Sequence, residues 1–176
     1  MTEPAQTAQR LAGADVVITN KVLITDEIMA QTTLKLICVS ATGTNNIDMQ
    51  AAQARGIAVK NVAGYSTNSV VQQTFASLFA LTNALGYYAD YGSSGKWCES
   101  EIFTHIDAPI SEIYGKEFGV IGLGQIGVKL ARIAAAFGAN VRYYSTSGAN
   151  DNGEFARVSL DALLRACDII SIHAPL

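Results

Sequence analysis

The ten residues Phe118-Gly119-Val120-Ile121-Gly122-Leu123-Gly124-Gln125-Ile126-Gly127 constrain this chain more than any other stretch. An apolar run of strand character breaks into Gly-x-Gly-x-x-Gly and continues with helical periodicity. Gly122 permits a tight exit from the strand, Gly124 lets the backbone approach a pyrophosphate with no Cβ in the way, and Gly127 lets the helix pack closely on the sheet. The helix start at Gln125 and Ile126 then offers N–H groups and a partial positive charge of roughly half a unit. Ile126, Leu130, Ile133 and Phe137 follow at steps of four, three and four, one face of an amphipathic helix, and Gly138 stands where a glycine ends such a helix. A second strand, residues 140–145, ends at Ser145, the position that a dinucleotide fold presents to the adenosine ribose. Strand, glycine turn, helix and strand in this order predict a nucleotide-binding unit.

At 176 residues the chain is long enough for one domain or parts of two. Only 15% of its residues are charged, against about 25% in an ordinary soluble domain. Strands covered by helices on both faces account for part of that apolar character, and surface that meets further protein accounts for another part. The net charge is −3 and the twelve Lys and Arg are scattered, so no basic footprint for nucleic acid or anionic lipid is present. Cys38, Cys98 and Cys167 are odd in number and far apart, which predicts a reducing, cytoplasmic setting, no metal site, and small packing roles for Cys38 and Cys167. The first residues lack the basic and apolar segments of a signal peptide, and the most apolar stretch, 70–85, is too short and too polar to span a bilayer.

Upstream, residues 4–11 predict a short helix and 14–20 a buried strand. Thr25 predicts the cap of a helix reaching about Gln31, with Asp26 and Glu27 suited to its positive end. Strands at 34–40 and 58–62 enclose a polar loop, Ala41-Thr42-Gly43-Thr44-Asn45-Asn46, and a helix from its cap Asp48 to Gly56. The longest helical pattern begins near Thr67, carries Val71, Phe75, Leu78, Phe79 and Leu85 on one side, and ends near Tyr91-Gly92. Residues 92–116 hold glycine, serine and Pro109 with little periodicity, which predicts an arm between two domains. Ser159 predicts the cap of a short helix carrying Leu160, Leu163 and Leu164, and 168–173 the last strand. The expected fold class is α/β, with two parallel-sheet domains in tandem, residues 1–91 and 92–176.

These motifs resemble the D-2-hydroxyacid dehydrogenase family. Its dinucleotide signature is matched by Gly122, Gly124, Gly127, Val141, Tyr144 and Ser145, and a second signature by residues 163–176. The loop 40–48, followed by Val70-Val71-Gln72-Gln73-Thr74, is similar to the family's substrate loop and the start of its interdomain helix, and Gly95-Lys96-Trp97 to its Gly-x-Trp. The resemblance implies a flavodoxin-like substrate lobe followed by a linking arm and the first half of a Rossmann domain. It implies NAD, or else NADP, as cofactor, hydride transfer at C2 of a small 2-hydroxy or 2-oxo acid, and a homodimer paired through the cofactor domains. By the same alignment the dinucleotide meets Thr74, Gly122, Gly124, Gln125, Ile126, Gly127, Ser145, His173 and Pro175. The substrate carboxylate meets the backbone of Ala41, Thr42 and Gly43, in a loop that follows a strand at the carboxyl edge where open α/β sheets bind ligands.

The family's catalytic arginine, glutamate and histidine fall beyond Leu176, and its first substrate-domain strand falls before Met1. No catalytic residue is therefore assigned, and no turnover is expected of these residues alone. His173 matches the family's His-x-Pro turn beside the cofactor rather than an acid/base, and His105 reads as a surface residue of the arm. Gln72-Gln73 replace the Glu-His of many relatives. Ser145 replaces the carboxylate that accepts the ribose diol in NAD-selective folds, and between Arg142 in the strand and Arg157 no cation appears, which predicts weak selectivity between NAD and NADP. The alternative is a noncatalytic dinucleotide-sensing or partner-binding protein like the corepressors that resemble the same family, distinguished by dinucleotide-dependent partner binding without turnover.

Overall fold

The computed structural model describes residues 2–151 and 153–174. A 3-10 turn at Pro4–Gln6 leads into α1 (Thr7–Leu11), β1 (Val16–Thr19), α2 (Asp26–Ala30), β2 (Leu36–Val39), α3 (Met49–Ala54) and β3 (Ala58–Asn61). Two of these helices begin where short polar side chains cap them: Thr25 Oγ1 accepts from Ile28 N at 3.4 Å, and Asp48 Oδ1 accepts from Ala51 N at 2.9 Å. The strands pair in parallel in the order β1-β2-β3, with Val16, Leu36 and Ala58 in register. Ile37 and Val39 point into a core closed by Ile24, Met29, Leu34, Ile47 and Ala52. Each aliphatic side chain of that size contributes about 1.5–3 kcal/mol by leaving water.

The chain continues as α4 (Thr67–Thr82), α5 (Leu85–Ser93), α6 (Lys96–Glu99), β4 (Glu117–Ile121), α7 (Gln125–Ala136), β5 (Asn140–Tyr144), β6 (Ala156–Arg157), α8 (Leu160–Ala166) and β7 (Ile169–Ile172). Its four strands are all parallel, in the order β6-β5-β4-β7. Ser159 caps α8, its hydroxyl accepting from Ala162 N at 3.2 Å. Phe118, Val120, Leu130, Tyr143 and Leu163 are fully buried. A Cβ at Gly119 would lie 2.7 Å from Leu163 Cδ2 and 2.9 Å from Cys167 Sγ, so the glycine sets how closely α8 approaches β4. Burial pushes the Cys167 thiol up, which keeps it protonated as a packing group.

Several elements differ from the sequence reading, each for a tertiary reason. The helix expected from Thr67 to Tyr91 is two helices, broken at Ala84, which adopts a left-handed φ of 48°. The carbonyl of Thr82 is taken instead by the returning arm, accepting from Ser111 N at 2.8 Å. The two units divide between Ser66 and Thr67 rather than near Tyr91, because Val71 and Phe75 of α4 are buried in the same core as Phe118 and Leu130. On α7 the buried residues are Leu130, as expected, and Gly127, Ala131 and Ala134, three small residues that let the helix lie close to the sheet. Phe137, expected on that face, instead packs its ring against Phe75 and Phe79 at 5.7 and 5.3 Å. On α8 only Leu163 is buried, while Leu160 and Leu164 are exposed. His105 is not a free surface residue: its ring stacks on Tyr91 at 3.6 Å and its Nε2 lies 2.8 Å from Tyr87 OH. Among the described residues no helix is long and apolar enough to cross a membrane.

Candidate functional site

β4 has β5 on one side and β7 on the other, so the strand order reverses at its carboxyl end. Open parallel sheets leave a ligand crevice at such a switch point. The glycine turn occupies it. Gly122 N donates to Tyr144 O at 2.9 Å and His173 N donates to Ile121 O at 2.7 Å, which ties the turn to the ends of both neighbouring strands.

The three glycines of the motif meet different demands. Gly122 has φ +93°, and a Cβ there would stand 2.8 Å from the carbonyl carbon and oxygen of His173 and from Ala174 N. No L side chain suits that conformation or that space. A Cβ at Gly127 would overlap the carbonyl oxygen of Gly122, so α7 crosses the turn at backbone contact. Gly124 has an ordinary φ of −76°, and nothing lies within 4 Å of where its Cβ would be. The turn is therefore packed shut behind Gly122 and Gly127 and open in front of Gly124.

No side chain caps α7. Among the described residues the amides of Gln125, Ile126 and Gly127 have no acceptor. Unfilled donors at a helix N-terminus, together with the positive end of its dipole, suit an anion. The groups present fit a pyrophosphate. Immediately after β5, Ser145 is 3% exposed, and its Oγ has no hydrogen-bond partner among the described residues. Leaving such a hydroxyl unmatched costs about 1–3 kcal/mol.

Of the other expected cofactor residues, His173 is half-buried, its Nε2 2.8 Å from Ser171 Oγ. Burial lowers its pKa and favours the neutral ring. Thr74 is half-buried on α4 and spends its hydroxyl on Val70 O at 2.8 Å. Pro175 lies outside the described residues. Sequence reasoning met Arg157 only as the end of a cation-free stretch and gave it no place in the site: β6 sets it level with Tyr143, and its Nη1 donates to Gly148 O at 3.0 Å, in the loop after β5. A strand of two residues has no periodicity by which to find it.

In the first unit, Thr42 and Gly43 line an open depression of about 610 Å³ with Thr44, Asn45, Ile47, Asp48, Met49 and Gln50. Among the described residues the amides of Thr42 and Gly43 have no acceptor. The loop is held from below: Val62 N donates to Ala41 O at 3.1 Å, and Asn61 Nδ2 donates to Thr42 O at 2.6 Å. Ala41 itself is buried behind the depression rather than lining it. No cluster of three His, Cys, Asp or Glu able to hold a metal occurs among the described residues.

A parallel sheet with a tight glycine turn at its switch point and an open helix N-terminus defines a dinucleotide-binding Rossmann unit, here preceded by a smaller parallel α/β unit. Residues 75–176 match the family described as D-isomer specific 2-hydroxyacid dehydrogenase, NAD binding domain. The chain belongs to this family, whose cofactor is of the NAD(P) class. It is 39% identical, over 99% of its length, to a protein of Haemophilus influenzae named putative 2-hydroxyacid dehydrogenase, and covers 56% of that protein. An acyclic imino acid reductase solved with NADPH and D-Arg superposes with a TM-score of 0.82 at 30% identity, over 100% of this chain and 56% of the other. D-lactate dehydrogenase from Aquifex aeolicus, solved with NAD and lactic acid, superposes with a TM-score of 0.81 at 28% identity, over 96% of this chain and 50% of the other. The chain thus spans about half the length of the relatives it matches.

Proposed function

We propose that the chain supplies the pyrophosphate and adenosine seat, together with the substrate-carboxylate loop, of an NAD(P)-dependent D-2-hydroxyacid dehydrogenase. The observation that carries this reading is the open space at Gly124 in front of the unfilled amides of Gln125, Ile126 and Gly127. In it, those amides hold the pyrophosphate, Ser145 meets the ribose, and Thr74 and His173 border the nicotinamide side. The bound dinucleotide supplies hydride exchange with C2 of a small 2-hydroxy or 2-oxo acid. The amides of Thr42 and Gly43 hold the acid's carboxylate, with Ala41 acting through the bond that fixes the loop to Val62.

No acid or base is assigned. Reducing an oxo acid requires a proton at the C2 oxygen, and both histidines of the chain are engaged, His105 with Tyr87 and His173 with Ser171. Assayed alone, these 176 residues bind and orient without turnover. The exposed apolar side chains Trp97, Ile102, Phe103 and Ile106 on the arm support a homodimer, and unpaired cysteines support a cytoplasmic setting. The test is fluorescence titration with NADH. The wild type is expected to bind and Gly124→Val to bind at least about tenfold more weakly, roughly 1.4 kcal/mol; equal binding by the two overturns the site.

A further inference from the structure

We infer that Arg157 and the loop after β5 form a seat for the 2′-phosphate of an NADP-type dinucleotide, so that the phosphorylated cofactor is preferred. The assignment rests on reading the glycine turn as a dinucleotide site. β5 and β6 run in parallel with Tyr143 level with Arg157, which places the arginine at the same carboxyl edge as Ser145 and the residues after it. Its Nη1 donates to Gly148 O at 3.0 Å, and its Nη2 lies 3.5 Å from where a Cβ on Gly148 would stand, so the guanidinium lies along the loop. A guanidinium carries five N–H donors in a planar fork, and this carbonyl takes one of them.

The surroundings leave the fork to an anion. Among the described residues no carboxylate forms an ion pair with Arg157. Of the two acids between β5 and β6, Asp151 is turned toward Tyr143 OH at 3.4 Å and Gly153 N at 3.2 Å, and Glu154 accepts from Arg132 Nη2 at 2.8 Å. Residues 145–150 contain no acid, and offer the buried, unpartnered hydroxyl of Ser145 and the exposed hydroxyls of Thr146 and Ser147. A carboxylate at the end of this strand would accept the ribose diol and repel a phosphate there; a serine, with a guanidinium on the loop that it begins, reverses the balance, since arginine matches phosphate geometry through paired charge-assisted hydrogen bonds.

The experiment compares adenosine 2′,5′-bisphosphate with 5′-AMP by isothermal titration calorimetry on the whole chain, with NADPH and NADH followed by fluorescence. These adenosine probes do not depend on the nicotinamide side. The wild type is expected to bind the 2′-phosphorylated member of each pair about tenfold to a hundredfold more tightly, the range of hydrogen bonds to a charged group. Arg157→Ala is expected to erase that ratio while leaving 5′-AMP and NADH unchanged, and Arg157→Lys to retain part of it. Equal affinities in the wild type overturn the assignment alone, as does an Arg157→Ala variant that loses both members of a pair equally, which is the result if the side chain only braces Gly148. A wild type that binds neither NADH nor 5′-AMP overturns the dinucleotide site itself, and this assignment with it.

Discussion

Alanine placed in turn at Gly122, Gly124 and Gly127 separates folding from binding within one motif. At Gly122 an L residue held at φ +93° costs about 1–2 kcal/mol from its conformation. Its methyl group would also sit 2.8 Å from backbone atoms of residues 173 and 174, where carbon contacts prefer about 3.5–4.0 Å. The end of β7 must then shift, an overpacking cost of about 1–3 kcal/mol, for a total of about 2–5 kcal/mol. Gly127→Ala carries the overpacking cost without the conformational one, because its φ is ordinary but the obstacle is the backbone oxygen of Gly122. Gly124→Ala meets no atom within 4 Å, and changing a glycine at a helix N-cap costs about 1 kcal/mol or less. In a domain of about 100 residues each kcal/mol lowers the Tm by roughly 4–8 °C. Circular dichroism melts are therefore expected to place both Gly122→Ala and Gly127→Ala well below Gly124→Ala, which melts near the wild type. NADH titration of the still-folded Gly124→Ala is expected to show weakened binding, since its methyl enters the space the pyrophosphate needs. A Gly124→Ala variant as destabilised as the other two, or a Gly127→Ala variant that melts with the wild type, would refute the reasoning.

The lowered pKa of half-buried His173 means that the unfolded chain takes up its proton first as pH falls below the ordinary value of about 6.5. Stability is thus fully present above that pH and declines as pH falls toward the folded value; urea midpoints at pH 8 and pH 5 should show the loss, and His173→Asn should reduce it. Assays of NADH and NADPH oxidation with several 2-oxo acids are expected to give no turnover by these 176 residues; a clear rate abolished by His173→Asn would make that residue the acid. Light scattering at micromolar concentration is expected to show dimers, and Phe103→Glu with Ile106→Glu, both on strongly exposed residues of the arm, to shift them to monomer; a monomeric wild type would contradict the pairing.

Features set by neighbours within one turn of chain were readable directly. Thr25, Asp48 and Ser159 cap helices because a short polar side chain bonds an amide three residues on. The strand runs and the spacing of Gly122, Gly124 and Gly127 were equally local, and so were the polar loop at Thr42-Gly43 and the parallel α/β class. Within the site, the sequence marked which residues surround the turn, since a glycine pattern between strand and helix has few other uses.

What the sequence could not decide was set by partners far along the chain. Ala84 breaks a helix although it is itself neither glycine nor proline, and Ser111 takes the carbonyl of Thr82. Phe137, one residue past α7, packs its ring on Phe75 and Phe79 of α4, while α7 itself comes to backbone contact with the turn at Gly127. His105 is drawn from the surface into stacking by Tyr91 and Tyr87. Ser145 and Arg157 stand twelve residues apart in a stretch without periodicity, and only the pairing of β6 on β5 brings the guanidinium to the loop that Ser145 begins. Local chemistry is written along the chain, whereas the side of a helix that is buried, and the charge that reaches a given loop, depend on contacts that exist only after the sheets have formed.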